Sequence, residues 1–384
     1  MAVFHFPVKI ISADGCLSSL PDEVGRLGSR NPLVITDPGI VAAGVVDKVT
    51  APLKGRGVSY AVFEGVEPDP EIRNVSAAVE KIKKGDHDLL IGLGGGSSMD
   101  TAKAASILAM NDVDLREFQG PREAYPKKPL PVITVPTTAG TGSEVSSASM
   151  IVDEKRKCKI IFKSPQIFAQ VAFLDAGVLA GIPSPIAAST GADTLVHALE
   201  SFFNPNRSFA TEGASLNSVE LVFKHLRAFV ANTRNHERAQ HMLNASALAG
   251  IGMTTAGLGL VHAMAHPLGI LGKISHGMAC ALLLPPILRF NCLANADQYQ
   301  RLALSVDWTI RMEAAKERDV ACQVIEEVET LLQDIGLPRR LSELNVSIDN
   351  REALIEEAST SYLNQVNPRQ ASRKQVEEIL TQIM

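Results

Sequence analysis

Short apolar segments alternate with amphipathic ones in the first half of the chain, and this alternation stops near residue 181. Two intervening stretches, residues 75–84 and 99–110, have helical periodicity. Such alternation favours a parallel sheet with helices on both faces. The segments with the pattern of buried strands are residues 33–36, 58–63, 88–93 and 130–135.

Helical periodicity dominates the rest of the chain, and strand patterns nearly vanish. Four long helices are predicted there, over residues 187–203, 211–230, 238–255 and 314–334. A length of 384 residues fits two domains, because domains commonly hold roughly 100–200 residues. We therefore predict an α/β domain over residues 1–182 and an all-helical domain over residues 183–384.

Composition excludes several classes of protein. Hydrophobic residues make up 46% and charged residues 21% of the chain, which is typical of globular proteins and excludes disorder or collagen-like repeats. A net charge of −5 argues against nucleic-acid binding. The five cysteines are scattered without a C-x-x-C pair, which argues against a disulfide framework and a thiolate zinc site. No signal peptide or long apolar span is evident, so we expect a soluble, cytoplasmic protein.

A glycine-rich turn, Gly94-Gly95-Gly96-Ser97-Ser98, lies where a predicted strand ends and a helix begins. Glycines let a ligand approach the backbone closely, and the N-terminus of a helix attracts phosphate. The turn therefore predicts a pyrophosphate site, although a tight turn capped by serine would have the same pattern. A second loop of small residues, 137–143, follows another strand. Asp37 ends the strand over residues 33–36 and can bind a ribose or simply form a turn.

Histidines at helical spacing indicate a metal site in the second half. Asp193 and His197 are four residues apart, as are His262 and His266, and His276 follows. Residues four apart project from one face of a helix. The neighbouring sequence is apolar, where unpaired imidazoles would be costly to bury, whereas a divalent metal would satisfy several at once.

An open position on such a metal would polarise an alcohol or carbonyl oxygen. Together with a nicotinamide cofactor in the first domain, it predicts hydride transfer in the cleft between the domains. Three further histidines, His225, His236 and His241, lie in more charged segments and are expected to be solvated.

These motifs resemble the iron-containing (group III) alcohol dehydrogenase family along essentially the whole chain. The resemblance implies a Rossmann-like NAD-binding domain followed by an all-helical metal domain, a dehydroquinate synthase-like architecture. It also implies NAD and Fe²⁺ as cofactors, with Zn²⁺ possible after purification. The matching segments are residues 94–103, 136–144, 191–200, 259–269, 276–277 and 367–369.

The same resemblance assigns roles to the candidate residues. The metal ligands would be Asp193, His197, His262 and His276. His266 would be a histidine beside the substrate that relays a proton. The cofactor residues would be Asp37 for NAD preference, Gly95, Gly96 and Ser97 at the pyrophosphate, Thr137, Thr138 and Thr141 in the second loop, and Lys159 at the nicotinamide ribose.

Departures from the family concern the substrate pocket. Relatives that reduce lactaldehyde have Asn in place of Ala148 and Phe in place of Met253, and Asn364 is expected to face the pocket. The identity of the substrate therefore stays open among lactaldehyde, 3-hydroxypropanal, sulfoacetaldehyde and simple aliphatic aldehydes.

Three alternative functions remain at this point: a dehydroquinate-synthase-like lyase, a metal-independent maleylacetate reductase and a non-catalytic binding protein. The resemblance further implies a homodimer or a larger homo-oligomer.

Overall fold

A computed structural model describes residues 4–156, 158–307 and 316–384. The chain divides into two compact units, Phe6–Ala180 and Gly181–Met384. This division falls close to the predicted boundary at residue 182. The first unit is described below as the α/β unit and the second as the helical unit.

The described part of the α/β unit contains nine strands, which form two sheets. Six strands make a fully parallel sheet in the order β1-β9-β6-β4-β2-β3, which confirms the predicted parallel sheet. The smaller sheet has the order β5-β8-β7, with β7 and β8 antiparallel. The strands are β1 Lys9–Ser12, β2 Pro32–Ile35, β3 Ala61–Phe63, β4 Leu89–Gly94, β5 Gly120–Pro121, β6 Val132–Pro136, β7 Ala148–Asp153, β8 Cys158–Lys163 and β9 Val171–Leu174.

Helices cover both faces of the larger sheet because its strands are apolar on both sides. In β2, Leu33 packs in the same apolar cluster as Val75, whereas the next residue, Val34, packs in a second cluster with Val49. The helices of this unit are α1 Leu20–Arg26, α2 Pro38–Ala42, α3 Val45–Gly55, α4 Ile72–Gly85, α5 Gly96–Met110 and α6 Ala176–Leu179.

The described residues of the helical unit form helices and connections without a strand. Helix α11 is broken at Asn295, whose φ and ψ of −147° and 32° are not helical. The helices are α7 Ser184–Phe203, α8 Phe209–Ala231, α9 His236–Ala256, α10 Leu260–Gly272, α11 His276–Val306, α12 Glu317–Asp334, α13 Arg351–Thr360, α14 Tyr362–Gln365 and α15 Arg373–Gln382.

Among the described residues, α11 is long and apolar enough to cross a membrane, and the bent pair α9–α10 passes the same test when taken together. Half of the apolar stretch of α11 is buried within the protein. A core helix of a soluble protein has the same length and composition, so this is weak evidence for a membrane span.

One predicted strand is shorter in the structure, and the charged segment after Asp153, which the sequence predicted as a hairpin tip, joins the two strands of a hairpin. The sequence predicts a strand over residues 58–63, but β3 includes only Ala61–Phe63. The hairpin of β7 and β8 pairs Ser149 with Phe162, and its turn contains the charged segment that follows Asp153. Within this turn, residue 157 lies outside the described residues.

Candidate cofactor and metal sites

The glycine-rich turn joins β4 to α5 and packs closely against neighbouring side chains. Gly94 has a φ of 144°, and a Cβ atom there would lie 2.6 Å from Ser98 Oγ. Gly95 precedes the first helical residue, and no side chain caps the N-terminus of α5. Gly95, Gly96 and Ser97 are partly exposed. This turn can therefore present backbone N–H groups and the helix dipole to an anion.

The second small-residue loop lies directly against this turn. A Cβ atom on Gly95 would lie 3.4 Å from Thr138 Oγ1, and one on Gly96 would lie 3.0 Å from Thr141 Cγ2. The N–H group of Thr137 donates to the carbonyl of Gly94 at 3.0 Å. The structure thus brings together the glycines and threonines that the sequence predicted for the cofactor.

Lys103 fixes the position of this loop, a function that the sequence reasoning missed. Its side chain is fully buried, and its ammonium donates to the carbonyl oxygens of Ser143, Ser146 and Ala148 at 2.5, 2.9 and 3.0 Å. Burial lowers the pKa of Lys103 to about 8, while the nearby Asp100 opposes that shift. These bonds attach α5 to the C-terminal end of the loop that carries the three threonines.

Asp37 lies beside the glycine turn but also caps a helix. Its Oδ1 accepts a hydrogen bond from Ile40 N at 3.0 Å at the start of α2, and its Oδ2 accepts from Ser98 Oγ at 3.4 Å. The turn-forming and ligand-binding interpretations are therefore compatible at this residue. Lys159 lies in β8 and pairs with Asp69 at 2.6 Å.

In the helical unit, three imidazoles surround one carboxylate oxygen. The Oδ1 atom of Asp193 lies 3.9 Å from His197 Nε2, 3.8 Å from His262 Nε2 and 3.6 Å from His276 Nε2. The Nε2 atoms of His197 and His262 are 3.0 Å apart. Helix α7 supplies Asp193 and His197, α10 supplies His262, and α11 begins with His276. The structure therefore brings together all four predicted metal ligands.

These residues fit a divalent metal. Asp193 Oδ1 is buried and has no hydrogen-bond partner among the described residues, and burying a polar atom without a partner is costly. Bonds of about 2.0–2.2 Å from a metal place its ligand atoms roughly 3.0–3.6 Å apart. The separations of these oxygen and nitrogen atoms lie close to that range. Burial raises the pKa of Asp193, whereas a bound cation would favour its charged form.

Glu200 orients His262, and the sequence reasoning assigned it no role. Its Oε2 lies 2.6 Å from His262 Nδ1, which leaves Nε2 directed toward Asp193. Its Oε1 accepts from Val261 N at 2.6 Å at the start of α10. Burial raises the pKa of Glu200 to about 7 and lowers that of His262, which keeps the imidazole neutral and able to bind a metal. A spacing of seven residues from Asp193, two turns along the same helix, is a signal that could have identified it.

His266 lies beside this cluster. Its ring centroid is 5.8 Å from that of His262 and 5.4 Å from that of His276. His266 is partly exposed, unlike His262. A histidine that contacts the metal-binding imidazoles and also reaches solvent has the surroundings that proton exchange needs.

Two expectations about other side chains are wrong. His225 is buried rather than solvated, because its ring stacks on His241 with centroids 4.0 Å apart. Asn364 does not face a pocket, since it is fully buried and its amide bonds Ser359 O and Ala371 O at 3.0 and 2.9 Å. The structure thus gives Asn364 a role in holding a turn together.

The glycine turn after a parallel strand suits a dinucleotide, and the carboxylate and imidazole donors of the helical unit suit a divalent metal. These features together are those of a metal-dependent, dinucleotide-binding enzyme. The sequence pattern of iron-containing alcohol dehydrogenases matches residues 7–176, and that of the family's C-terminal part matches residues 187–384. The chain belongs to the iron-containing alcohol dehydrogenase family. It is therefore an oxidoreductase that interconverts alcohols and aldehydes, and its fold is dehydroquinate synthase-like. The lyase alternative is set aside.

Relatives in this family support that assignment. Lactaldehyde reductase of Escherichia coli K12 is 33% identical over 367 residues, which cover 95% of each chain. A 1,3-propanediol oxidoreductase structure superimposes with a TM-score of 0.96 at 31% identity and covers all of both chains. A sulfoacetaldehyde reductase from Bifidobacterium kashiwanohense, solved in complex with NAD⁺, superimposes with a TM-score of 0.90 at 28% identity and covers 100% of this chain and 98% of its own.

Proposed function

We propose that this protein is an NAD-dependent, divalent-metal-dependent reductase of small aldehydes that also oxidises the corresponding alcohols. The observation that carries the proposal is the convergence of three imidazoles on the buried Oδ1 atom of Asp193. The relative solved with NAD⁺ supports the choice of cofactor.

The α/β unit is the NAD-binding domain in this proposal. Gly95, Gly96 and Ser97 bind the pyrophosphate through N–H groups at the start of α5. Asp37 accepts hydrogen bonds from the adenosine ribose and repels a 2′-phosphate, which favours NAD over NADP. Thr137, Thr138 and Thr141 line the cofactor around these groups. Lys159 leaves its ion pair with Asp69 and binds the nicotinamide ribose.

The helical unit is the metal and substrate domain. Asp193, His197, His262 and His276 hold Fe²⁺, or Zn²⁺ where zinc replaces it. When bound, NAD supplies the hydride acceptor or donor, and the metal supplies a Lewis acid for the substrate oxygen. Glu200 keeps His262 in the tautomer with a free Nε2, a common arrangement for metal-binding histidines.

His266 moves the proton that alcohol oxidation releases. Its imidazole ring lies next to His262 and His276, and it is partly exposed, so it can pass a proton from the substrate side to water. Histidine suits this role because its usual pKa lies near neutral pH. Reduction of the aldehyde uses the same path in the opposite direction.

We propose a short aldehyde as the substrate, by analogy with the relatives named for lactaldehyde, 1,3-propanediol and sulfoacetaldehyde. Another relative, 36% identical, is named a long-chain-alcohol dehydrogenase, so the aldehyde assay also separates short from long substrates. Ala148 and Met253 differ from the residues of lactaldehyde reductases, and both are partly exposed. We infer that the preferred aldehyde differs from lactaldehyde in shape.

An assay of NADH oxidation tests this function. The enzyme is purified anaerobically, loaded with Fe²⁺ or Zn²⁺, and supplied with lactaldehyde, 3-hydroxypropanal, sulfoacetaldehyde, butanal and a long-chain aldehyde. We expect at least one aldehyde to be reduced with NADH, and the rate to vanish after chelation and return on adding metal. Absence of turnover with every aldehyde in metal-replete protein would contradict the proposal.

We also propose that the enzyme is a cytoplasmic homodimer or larger homo-oligomer. Large apolar side chains are exposed, including Phe209 at 90%, Leu293 at 66% and Leu304 at 64%, and such side chains are common where subunits meet. All five cysteines are free thiols, which suits a reducing compartment. We expect light scattering coupled to size-exclusion chromatography to give at least twice the mass of one chain. A mass equal to that of one chain would contradict the proposal.

A further inference from the structure

We infer that Lys103 is a positioning residue for the cofactor: its ammonium is a built-in monovalent cation that holds the loop over residues 137–143 in the conformation that binds NAD. This loop is called the threonine loop below. The inference rests on the NAD site of the proposed function and deepens it. Lys103 is fully buried, so it acts on the cofactor through the threonine loop and not by direct contact.

The Nζ atom of Lys103 lies in a cage of oxygen atoms. It contacts the carbonyl oxygens of Ser143, Ser146 and Ala148 at 2.5, 2.9 and 3.0 Å, and the hydroxyl oxygens of Ser143 and Ser146 at 3.1 Å each. An ammonium has three N–H donors, fewer than the five oxygens around it. Such a shell of neutral oxygens is the kind of site that binds a monovalent cation, and here a side chain supplies the cation.

Nearby carboxylates compensate the buried charge. Asp100 and Glu144 both favour the charged form of Lys103 and oppose the effect of burial on its pKa. Asp100 also binds the same segment directly, because its Oδ1 accepts from Ser143 Oγ at 2.5 Å and its Oδ2 accepts from Met150 N at 2.9 Å. A buried ammonium with several acceptors and nearby carboxylates keeps its proton near neutral pH. The positive charge is therefore present where the loop ends.

Hydrogen bonds and close packing connect the cage to the proposed cofactor residues. Ser143 N donates to Thr141 Oγ1 at 3.2 Å, and a Cβ atom on Gly96 would lie 3.0 Å from Thr141 Cγ2. At the other end of the loop, Thr137 N donates to the last carbonyl of β4 at 3.0 Å. The backbone thus fixes the start of the threonine loop, and Lys103 fixes its end. Without the ammonium, the oxygens of the cage would repel one another and the loop would leave this conformation.

The alternative is that Lys103 only stabilises the fold. In that case its removal leaves buried oxygens without donors and lowers the Tm. The folded fraction of such a variant would still bind NADH with the wild-type Kd. The two roles therefore differ in cofactor affinity, which a purely structural role does not change.

Fluorescence titration with NADH, on the whole chain loaded with metal, separates these roles. We expect Lys103→Ala to raise the Kd and the KM for NADH roughly tenfold or more, with kcat at saturating NADH and metal content close to those of the wild type. The control is Lys81→Ala, which removes an exposed lysine of α4 and should keep the wild-type Kd. A folded Lys103→Ala variant with the wild-type Kd would overturn the inference and leave the NAD site standing.

Added cations provide the second measurement. The atoms that Lys103→Ala removes correspond to a propylammonium ion, so propylammonium or ammonium chloride should lower the Kd of this variant toward the wild-type value. Sodium chloride is the control for ionic strength. A raised Kd that neither ammonium salt lowers would overturn the role as a cation.

A milder variant decides if Lys103→Ala does not fold. Ser143→Ala removes only the hydroxyl that Lys103 and Asp100 share, and we expect it to raise the Kd for NADH roughly threefold. An unchanged Kd in that variant would overturn the inference. Failure of the wild type to bind NADH at all would instead overturn the proposed function.

Discussion

Asp193 has the surroundings that most require a cation. Its carboxylate is buried, and burial raises its pKa. Its Oδ1 has three imidazole nitrogens within 3.9 Å but no hydrogen-bond partner among the described residues. A buried polar atom without a partner is destabilising, so a metal at this point would stabilise the helical unit as well as serve catalysis.

Asp37 combines a structural and a cofactor role, and an isosteric substitution separates them. Asn caps helices about as well as Asp, so Asp37→Asn should retain the bond from Ile40 N and the stability of α2. It removes the negative charge that repels the 2′-phosphate of NADPH. We expect the ratio of kcat/KM for NADH over NADPH to fall in Asp37→Asn, with an unchanged Tm. Equal use of the two cofactors by the wild type would show that Asp37 only caps the helix.

His266 can be tested by a substitution that keeps polarity but cannot titrate. For His266→Gln we expect retained metal and NADH binding, a reduction in kcat of roughly 10²–10⁴, and a flatter pH profile for alcohol oxidation. A role as metal ligand instead predicts loss of metal. A role in packing predicts a lower Tm with a nearly normal rate. A fully metallated variant with wild-type kcat would rule out the proton relay.

At the level of helices, Gly277 allows the start of α11 to approach α7. A Cβ atom at this residue would lie 2.1 Å from the backbone oxygen of Ser189 and 3.5 Å from Asp193 Cβ. Because the nearest atom belongs to the backbone, a side chain cannot be accommodated by a change of rotamer. The distance between His276 and Asp193 therefore depends on a glycine.

Gly277→Ala should separate these two helices and weaken metal binding. We expect metal affinity to fall by roughly tenfold or more and stability by about 1–3 kcal/mol. The matched control is Gly213→Ala in α8, where a Cβ atom meets nothing within 4 Å. That control should bind metal normally, with stability unchanged or raised by up to roughly 1 kcal/mol. Unchanged metal affinity in Gly277→Ala, measured by competition with a chromophoric chelator, would contradict this account.

Across the whole molecule, the sequence predicted features that depend on local spacing. Glycines after a buried strand indicated the turn at Gly95, and i,i+4 pairs indicated the faces that carry His197 and His262. Features that depend on packing between distant elements were not predictable in this way. Glu200 meets α10 only after α7 and α10 pack. The burial of His225 likewise depends on the contact of α8 with α9.

The central claim is that the metal is held by the helical unit and the nucleotide by the α/β unit. His262→Ala tests it most directly, because His262 is buried among the proposed ligands. His236→Ala is the control, since His236 is an exposed histidine of the same unit.

Metal content by elemental analysis and NADH affinity by fluorescence titration are measured on the same samples. We predict that His262→Ala loses its metal and most activity but binds NADH with the wild-type Kd, and that His236→Ala keeps all three properties. Stoichiometric metal in His262→Ala would contradict the account.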